Sequence, residues 1–174
     1  MKPKTVGRAG RANLNPAGHM AQRTLRYPGV LLGANILTMN GEIPVQRLCV
    51  GDRLITRDSG VAAIQSIFRH DVERRAVMVH AGSLSALRPD VDVVLAADQT
   101  VLLRDWRARV MYRRPQAVAA AGALVDGKFI TDLGLRHMTL FQIYCDAPHI
   151  FYSQGLELGT ADALAQMPKT RIAA

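Results

Sequence analysis

The sequence predicts a mostly β domain with one short helix. Short runs of aliphatic and β-branched residues recur throughout, and Gly, Asn, Asp or Pro stand between them at close intervals. A single stretch has helix-favouring composition. Together these features describe many short strands joined by tight turns.

Residues 33–60 show the pattern most clearly. Ile36, Leu37 and Thr38 run into Asn40-Gly41, a pair that tolerates the positive φ of a hairpin turn. Pro44, Val45 and Leu48 follow, then a reversal at Gly51-Asp52, a strand from Arg53 to Thr56, and a further reversal at Asp58-Ser59-Gly60. Val61 to Ile64 and Ile67-Phe68 extend the sheet. Arg69 to Arg75 is polar and reads as a reversal before a strand over Ala76 to Val79. Ser83 to Asp92, with Pro89, is a loop. Val91, Val93, Val94 and Leu95 are branched enough to favour a buried strand over a helix, and Asp98-Gln99 turns the chain into Val101, Leu102 and Leu103. The arginines at 104, 107, 109, 113 and 114 are expected on a solvated face around Trp106, Val110 and Tyr112. Pro115 to Leu124 is the expected helix, from its leading proline and its alanines. Phe129-Ile130, Met138 to Cys145, Ile150 to Ser153 and Leu156 to Leu158 are the remaining strands.

The 174 residues suit one domain. Residues 1–26 read as a flexible basic arm, 27–160 as the β domain, and 161–174 as a C-terminal tail. The arm holds Lys2, Lys4, Arg8, Arg11, Arg23 and Arg26 and no acid, so it carries six of the eight net positive charges. A solubilising tail is the plain reading of such a run; binding of nucleic acid or an acidic surface through residues 1–26 is the specific one. No apolar run approaches the ~20 residues of a membrane span, and no secretory leader is visible. The expectation is a cytoplasmic protein without membrane attachment. Cys49 and Cys145 are too few for a disulfide framework and are expected to be reduced, packed side chains. His19, His70, His80 and His137 show no metal spacing, and neither metal nor cofactor is expected.

Gly33, Ile36, Thr38, Gly41, Pro44, Val45, Leu48, Gly51, Asp52, Thr56, Asp58 and Gly60 form a pattern that resembles the opening of Hint domains, the self-processing fold of Hedgehog C-terminal regions and inteins. Short bacterial Hint-type proteins look most similar, and the likeness extends to about residue 160. The resemblance implies a horseshoe-like, pseudo-twofold β fold. It also implies an autoprocessing reaction in which a thiol or hydroxyl at the domain's first residue attacks the preceding carbonyl, assisted by a Thr-x-x-His block and a late Asp.

Carried onto this chain, those positions are chemically altered. The nucleophile position falls on Gly29. The Thr-x-x-His block falls on Ala96 to Gln99, and a glutamine cannot transfer a proton near neutral pH. The late block runs from Gln142, in place of Asp, to His149. Where an intein ends in His-Asn, this chain has Gly159-Thr160 and continues. The expectation is a catalytically silent Hint fold that serves a binding or structural purpose, with an unknown protein partner. The rivals are an active self-cleaving protein with a non-standard nucleophile, and a binder acting through the basic arm. Each residue also has a plain reading: His149 as a structural histidine holding a strand connection, Cys49 and Cys145 as core, Asp98 as a turn former, Thr24 as part of the arm.

Overall fold

Turn chemistry sets the first third of the fold. In a computed structural model that describes residues 28–84 and 87–163, β1 (Val30–Leu31) leads into β2 (Asn35–Thr38) and β3 (Gly41–Pro44), a hairpin whose Gly41 takes φ +93°. Few side chains tolerate that angle. The Thr38 hydroxyl donates to the Gly41 carbonyl and accepts from the Asn40 amide, locking the turn. A 3-10 turn at Val45–Arg47 leads to a second hairpin, β4 (Arg53–Thr56) and β5 (Gly60–Ala63).

Two long strands follow a different logic. Strand β6 (Ser66–Val79) and β10 (Ile130–Tyr144) pair antiparallel along their whole length. They anchor a four-stranded sheet of order β1-β10-β6-β7, with β7 at Val93–Ala96. Strands β8 (Thr100–Leu103), β9 (Ala117–Ala120), β11 (Ile150–Ser153) and β12 (Leu156–Gly159) join the hairpins in an eight-stranded sheet of order β3-β2-β4-β11-β12-β8-β9, with β5 on β4. Both sheets feed one core, in which Ile36, Leu54, Leu95, Ile130, Phe151 and Leu158 are fully enclosed. Each such side chain contributes about 1.5–3 kcal/mol, whereas an exposed pair such as Arg69–Asp71 contributes at most about 1 kcal/mol. A smaller cluster holds Ala76, Ala96, Met138 and Leu140.

The structure corrects five expectations. Arg69 to Arg75 is not a reversal but the middle of β6; its polar residues lie on a solvated ribbon, where ladder hydrogen bonds to β10 outweigh local propensity. The two strands expected at 129–130 and 138–145 are thus one, with an irregularity between Asp132 and Gly134. Pro115 to Leu124 is not a helix: Ala117–Ala120 is β9, paired to β8, and Ala121–Leu124 is a 3-10 turn. Small alanines suit this close packing, with Ala119 and Ala121 fully buried. A side chain at Gly122 would meet Ala97 at 2.9 Å.

The helix is instead α1 (Trp106–Tyr112), N-capped by Asp105, whose carboxylate accepts from the Arg107 amide. Arg107 is not on the solvated face. Its guanidinium is buried, pairs with Asp105 at 2.8 Å and Asp126 at 3.6 Å, and donates to the Ser83 carbonyl. Cys49 is exposed rather than core, because Leu48 takes the inward position and the chain turns outward behind it. Cys145 is buried, and both thiols are free. Among the described residues no helix is long and apolar enough to cross a membrane. The arm (1–26) with Thr24 and His19, and residues 164–174 of the tail, lie outside the described residues.

Candidate functional site

The chain entering β1 and the chain leaving β12 border one depression. Pro28, Gly29, Gln99, Gly159 and Thr160 line a depression floored by Phe141, Ile143 and Phe151, too narrow to admit a water molecule. Gly29 lies against β10, where an added Cβ would stand 3.1 Å from the Phe141 carbonyl oxygen and 3.3 Å from Leu140 Cβ. No side chain at position 29 reaches the carbonyl that precedes it.

That carbonyl belongs to Pro28, and Gln142 addresses it. Strand β10 runs between β1 and β6, so the Gln142 side chain can touch both neighbours. Its Nε2 donates to the Pro28 oxygen at 3.3 Å and its Oε1 meets His70 Nε2 at 2.9 Å. The assignment is forced: the Pro28 oxygen only accepts, so Gln142 presents its NH2 there and leaves its oxygen for His70, which must carry a proton on Nε2. His70 lies diagonally across the ladder, since Gln142 opposes Phe68 and Leu140 opposes His70.

Gln99 is fully buried, and both of its amide protons are used. Nε2 donates to the Gly159 carbonyl at 2.9 Å and the Thr100 carbonyl at 3.1 Å. Its backbone closes the β7–β8 turn on the Ala96 carbonyl. Ala96 itself lies off the depression, packed with Ala76, Met138 and Leu140. Asp98 occupies the same turn, partly exposed. Gly159 has no room for a side chain, because a Cβ there would stand 2.2 Å from Thr100 Oγ1 and 2.6 Å from Ala163 Cβ. Thr160 Oγ1 accepts from the His149 amide and donates to Asp162 at 2.7 Å.

His149 stands one step back from the depression and is tied by its backbone to Thr160. Its ring faces carboxylates on both sides: Nδ1 meets Asp58 at 2.6 Å and Nε2 meets Asp146 at 3.1 Å, with the Ser59 hydroxyl at 3.3 Å. Two acceptors on two ring nitrogens call for the doubly protonated imidazolium. Burial opposes that charge, but the hydrogen bonds and charges of Asp58 and Asp146 outweigh it, so the His149 pKa is raised. Burial likewise works against ionised Asp58, yet the Ile150 amide and His149 hold its carboxyl below the usual range. Asp146 is lowered chiefly by its hydrogen bond to His149. Cys145, four residues from His149, does not appear among the ring's partners, and burial followed by nearby carboxylates pushes its thiol up to about 11.

Gly29, Gln99 and Thr160 therefore share the depression, Gln142 reaches its edge through Pro28, His149 supports it from behind, and Ala96 stays out. Asp58 and His70 were missed as parts of this arrangement. Asp58 reads as a turn residue, and its partner lies 91 positions along the chain; His70 falls in the supposed reversal. Among the described residues no three or more of His, Cys, Asp and Glu are placed to hold a metal. A separate cavity of about 390 Å³ lies beside Tyr152 and Gln154, but its arginines are already occupied, Arg88 by Asp90 and Arg104 by Glu157.

Several solved structures share the architecture. The PabCDC21-1 intein is similar with a TM-score of 0.56 at 10% identity over 76% of this chain and 98% of that one. A bacterial intein-like domain from Clostridium thermocellum gives 0.52 at 11% over 77% and 98%, and the gp41-1 intein 0.51 at 15% over 75% and 96%. At such identities the likeness is one of fold. A comparison with the curated proteins gives no match. The sequence model of the Hint domain matches residues 28–162, most of the chain and the whole of the two-sheet unit around the depression. The chain belongs to the Hint domain family.

Proposed function

We propose that this Hint domain has lost autoprocessing and acts as a binding or structural module. The observation that carries the reading is the Pro28–Gly29 junction: the carbonyl that a Hint nucleophile would attack is followed by a residue with no side chain. Acyl transfer needs an attacking electron pair and a proton for the leaving nitrogen. Gln142 supplies the carbonyl with a hydrogen bond alone, and the Gln99 amide is spent on two other carbonyls. Both His149 nitrogens are engaged by Asp58 and Asp146, and His70 reaches the junction only through the Gln142 amide.

Mass spectrometry of the purified full chain, incubated with and without hydroxylamine or dithiothreitol, tests this. The expected result is an intact mass under every condition. A fragment ending at Pro28 or beginning at Gly29 would show instead a self-cleaving protein with an unconventional nucleophile. One contact favours that second reading, the Gln142 hydrogen bond polarising the Pro28 carbonyl with His70 behind it. Binding of nucleic acid through residues 1–26 is separable: a gel shift comparing the full chain with one starting at Tyr27 should then show loss of affinity and of salt dependence on truncation. A cytoplasmic setting accords with two free thiols and remains part of the proposal.

A further inference from the structure

Six of the arginines among the described residues are neutralised by carboxylates. Arg57, Arg69, Arg75, Arg88, Arg104 and Arg107 each hold a carboxylate. Arg47, Arg53 and Arg136 are exposed without a carboxylate at scattered places, whereas around α1 four such cations, Arg109, Arg113, Arg114 and Lys128, fall on the helix, its C-terminal end and the neighbouring 126–129 turn. In the same place the surface is unusually apolar: Trp106 is 62% exposed, Val110 69%, and Met111 and Phe129 44% each. Buried Arg107 brings the helix and the turn together, its guanidinium 5.0 Å from the Trp106 ring centroid and 6.0 Å from that of Phe129. Its pairs with Asp105 and Asp126 fix α1 against the 126–129 turn.

We propose that α1 and the 126–129 turn are a docking surface for an acidic polypeptide segment of a protein partner that also carries apolar side chains. The proposal rests on the reading of this chain as a binding module and names where it binds. Unpaired cations ask for anions, and exposed Trp, Val, Met and Phe ask for apolar anchors between them. A bilayer fits less well: α1 has seven residues, its inner side is held by buried Arg107 and Ala108, and Arg109 interrupts its apolar tips. Single-stranded nucleic acid would use stacking platforms, yet Val110 and Met111 offer none and Arg107 already lies over one face of both rings.

Trp106 is the only tryptophan, so its emission reports on the surface directly. The full chain is titrated with a dodecapeptide alternating Asp or Glu with Leu or Phe, with an all-Asp/Glu peptide of equal charge, with phosphatidylcholine/phosphatidylserine vesicles and with oligo-dT. The expected result is a saturable blue shift with the first peptide at least tenfold tighter than with the other three, weakened by salt. Arg109→Glu with Arg114→Glu, and separately Val110→Ser, should each weaken binding at least fivefold while circular dichroism stays unchanged. No shift with the mixed peptide, an equal or stronger one with vesicles or oligo-dT, or full binding by the variants overturns the proposal. Cleavage at Pro28–Gly29 in the mass spectrum would remove the underlying reading without altering this titration, so the two can fail independently.

Discussion

Gly159→Ala should destabilise this protein more than any other single added methyl near the depression, for reasons of space. Gly159 has no positive φ to protect and pairs regularly with Ile150. A Cβ there would overlap two atoms at once, Thr100 Oγ1 at 2.2 Å and Ala163 Cβ at 2.6 Å, with Thr100 Cβ at 3.3 Å behind. Thr100 is fully buried and branched at Cβ, so it yields only by turning its methyl into the same crowd. Overpacking of this kind costs about 1–3 kcal/mol, which for a chain of this size lowers Tm by roughly 3–10 °C. Thr100→Ala supplies the partner measurement. Its hydroxyl has no hydrogen-bond partner in the buried site, so the cost of this variant is that of its buried methyl, about 1 kcal/mol, and the double variant should recover roughly 1–2 kcal/mol relative to additivity. Urea unfolding followed by circular dichroism gives all four corners of the cycle. A Gly159→Ala protein melting within 1 °C of the parent, or strict additivity with Thr100→Ala, would refute the argument that this end of the depression is filled by design of the packing.

Three further outcomes follow from the site. Because the His149 pKa is raised, its contribution to stability is complete below the ordinary histidine value of 6.5 and is lost as pH climbs through the higher folded value. Asp58 and Asp146 are depressed and contribute above the ordinary 3.8, so thermal melts from pH 3 to 9 should plateau between these limits. His149→Gln should flatten the alkaline decline, and a parent Tm that is level from pH 6 to 8.5 would contradict the imidazolium assignment. Gly29→Cys should fold with a modest loss, since the contacts at 3.1–3.3 Å need only small adjustments. It should show no dithiothreitol-dependent cleavage in the mass spectrum, because no proton donor is restored; cleavage by this single variant would place the whole deficit at the nucleophile. Finally, a thiol reagent near neutral pH should modify exposed Cys49 quickly and Cys145, buried with its pKa at about 11, only on unfolding; two equally fast thiols would contradict the burial.

What could be read from the sequence divides along a physical line. The turns at Asn40-Gly41, Gly51-Asp52 and Asp58-Ser59-Gly60 were legible because a tight reversal is decided by local φ and by which residues tolerate it. The β6–β10 ribbon was not: six polar residues around a single valine, Val72, look like a loop unless one knows that a distant strand pairs with each position from Arg69 to Arg75. Alanines at 117–121 mislead for a related reason. Their intrinsic preference is helical, but the space beside β8 admits only small side chains, and pairing decides.

The same line runs through the candidate site. Gly29, Gln99 and Thr160 could be proposed from the resemblance to Hint domains, yet nothing local in the sequence pairs Asp58 with His149 or His70 with Gln142, contacts that span 91 and 72 positions. Those contacts change the chemical meaning of the histidines. A histidine with one free nitrogen beside a carbonyl is a candidate proton shuttle, whereas His149 has both nitrogens engaged by carboxylates and joins the β4–β5 turn to the start of β11. His70 points Nε2 at Gln142 and reaches the Pro28 carbonyl only through that amide. In both cases the imidazole is hydrogen-bonded to other side chains, and the groups nearest the junction are amides, which bind a carbonyl but transfer no proton near neutral pH.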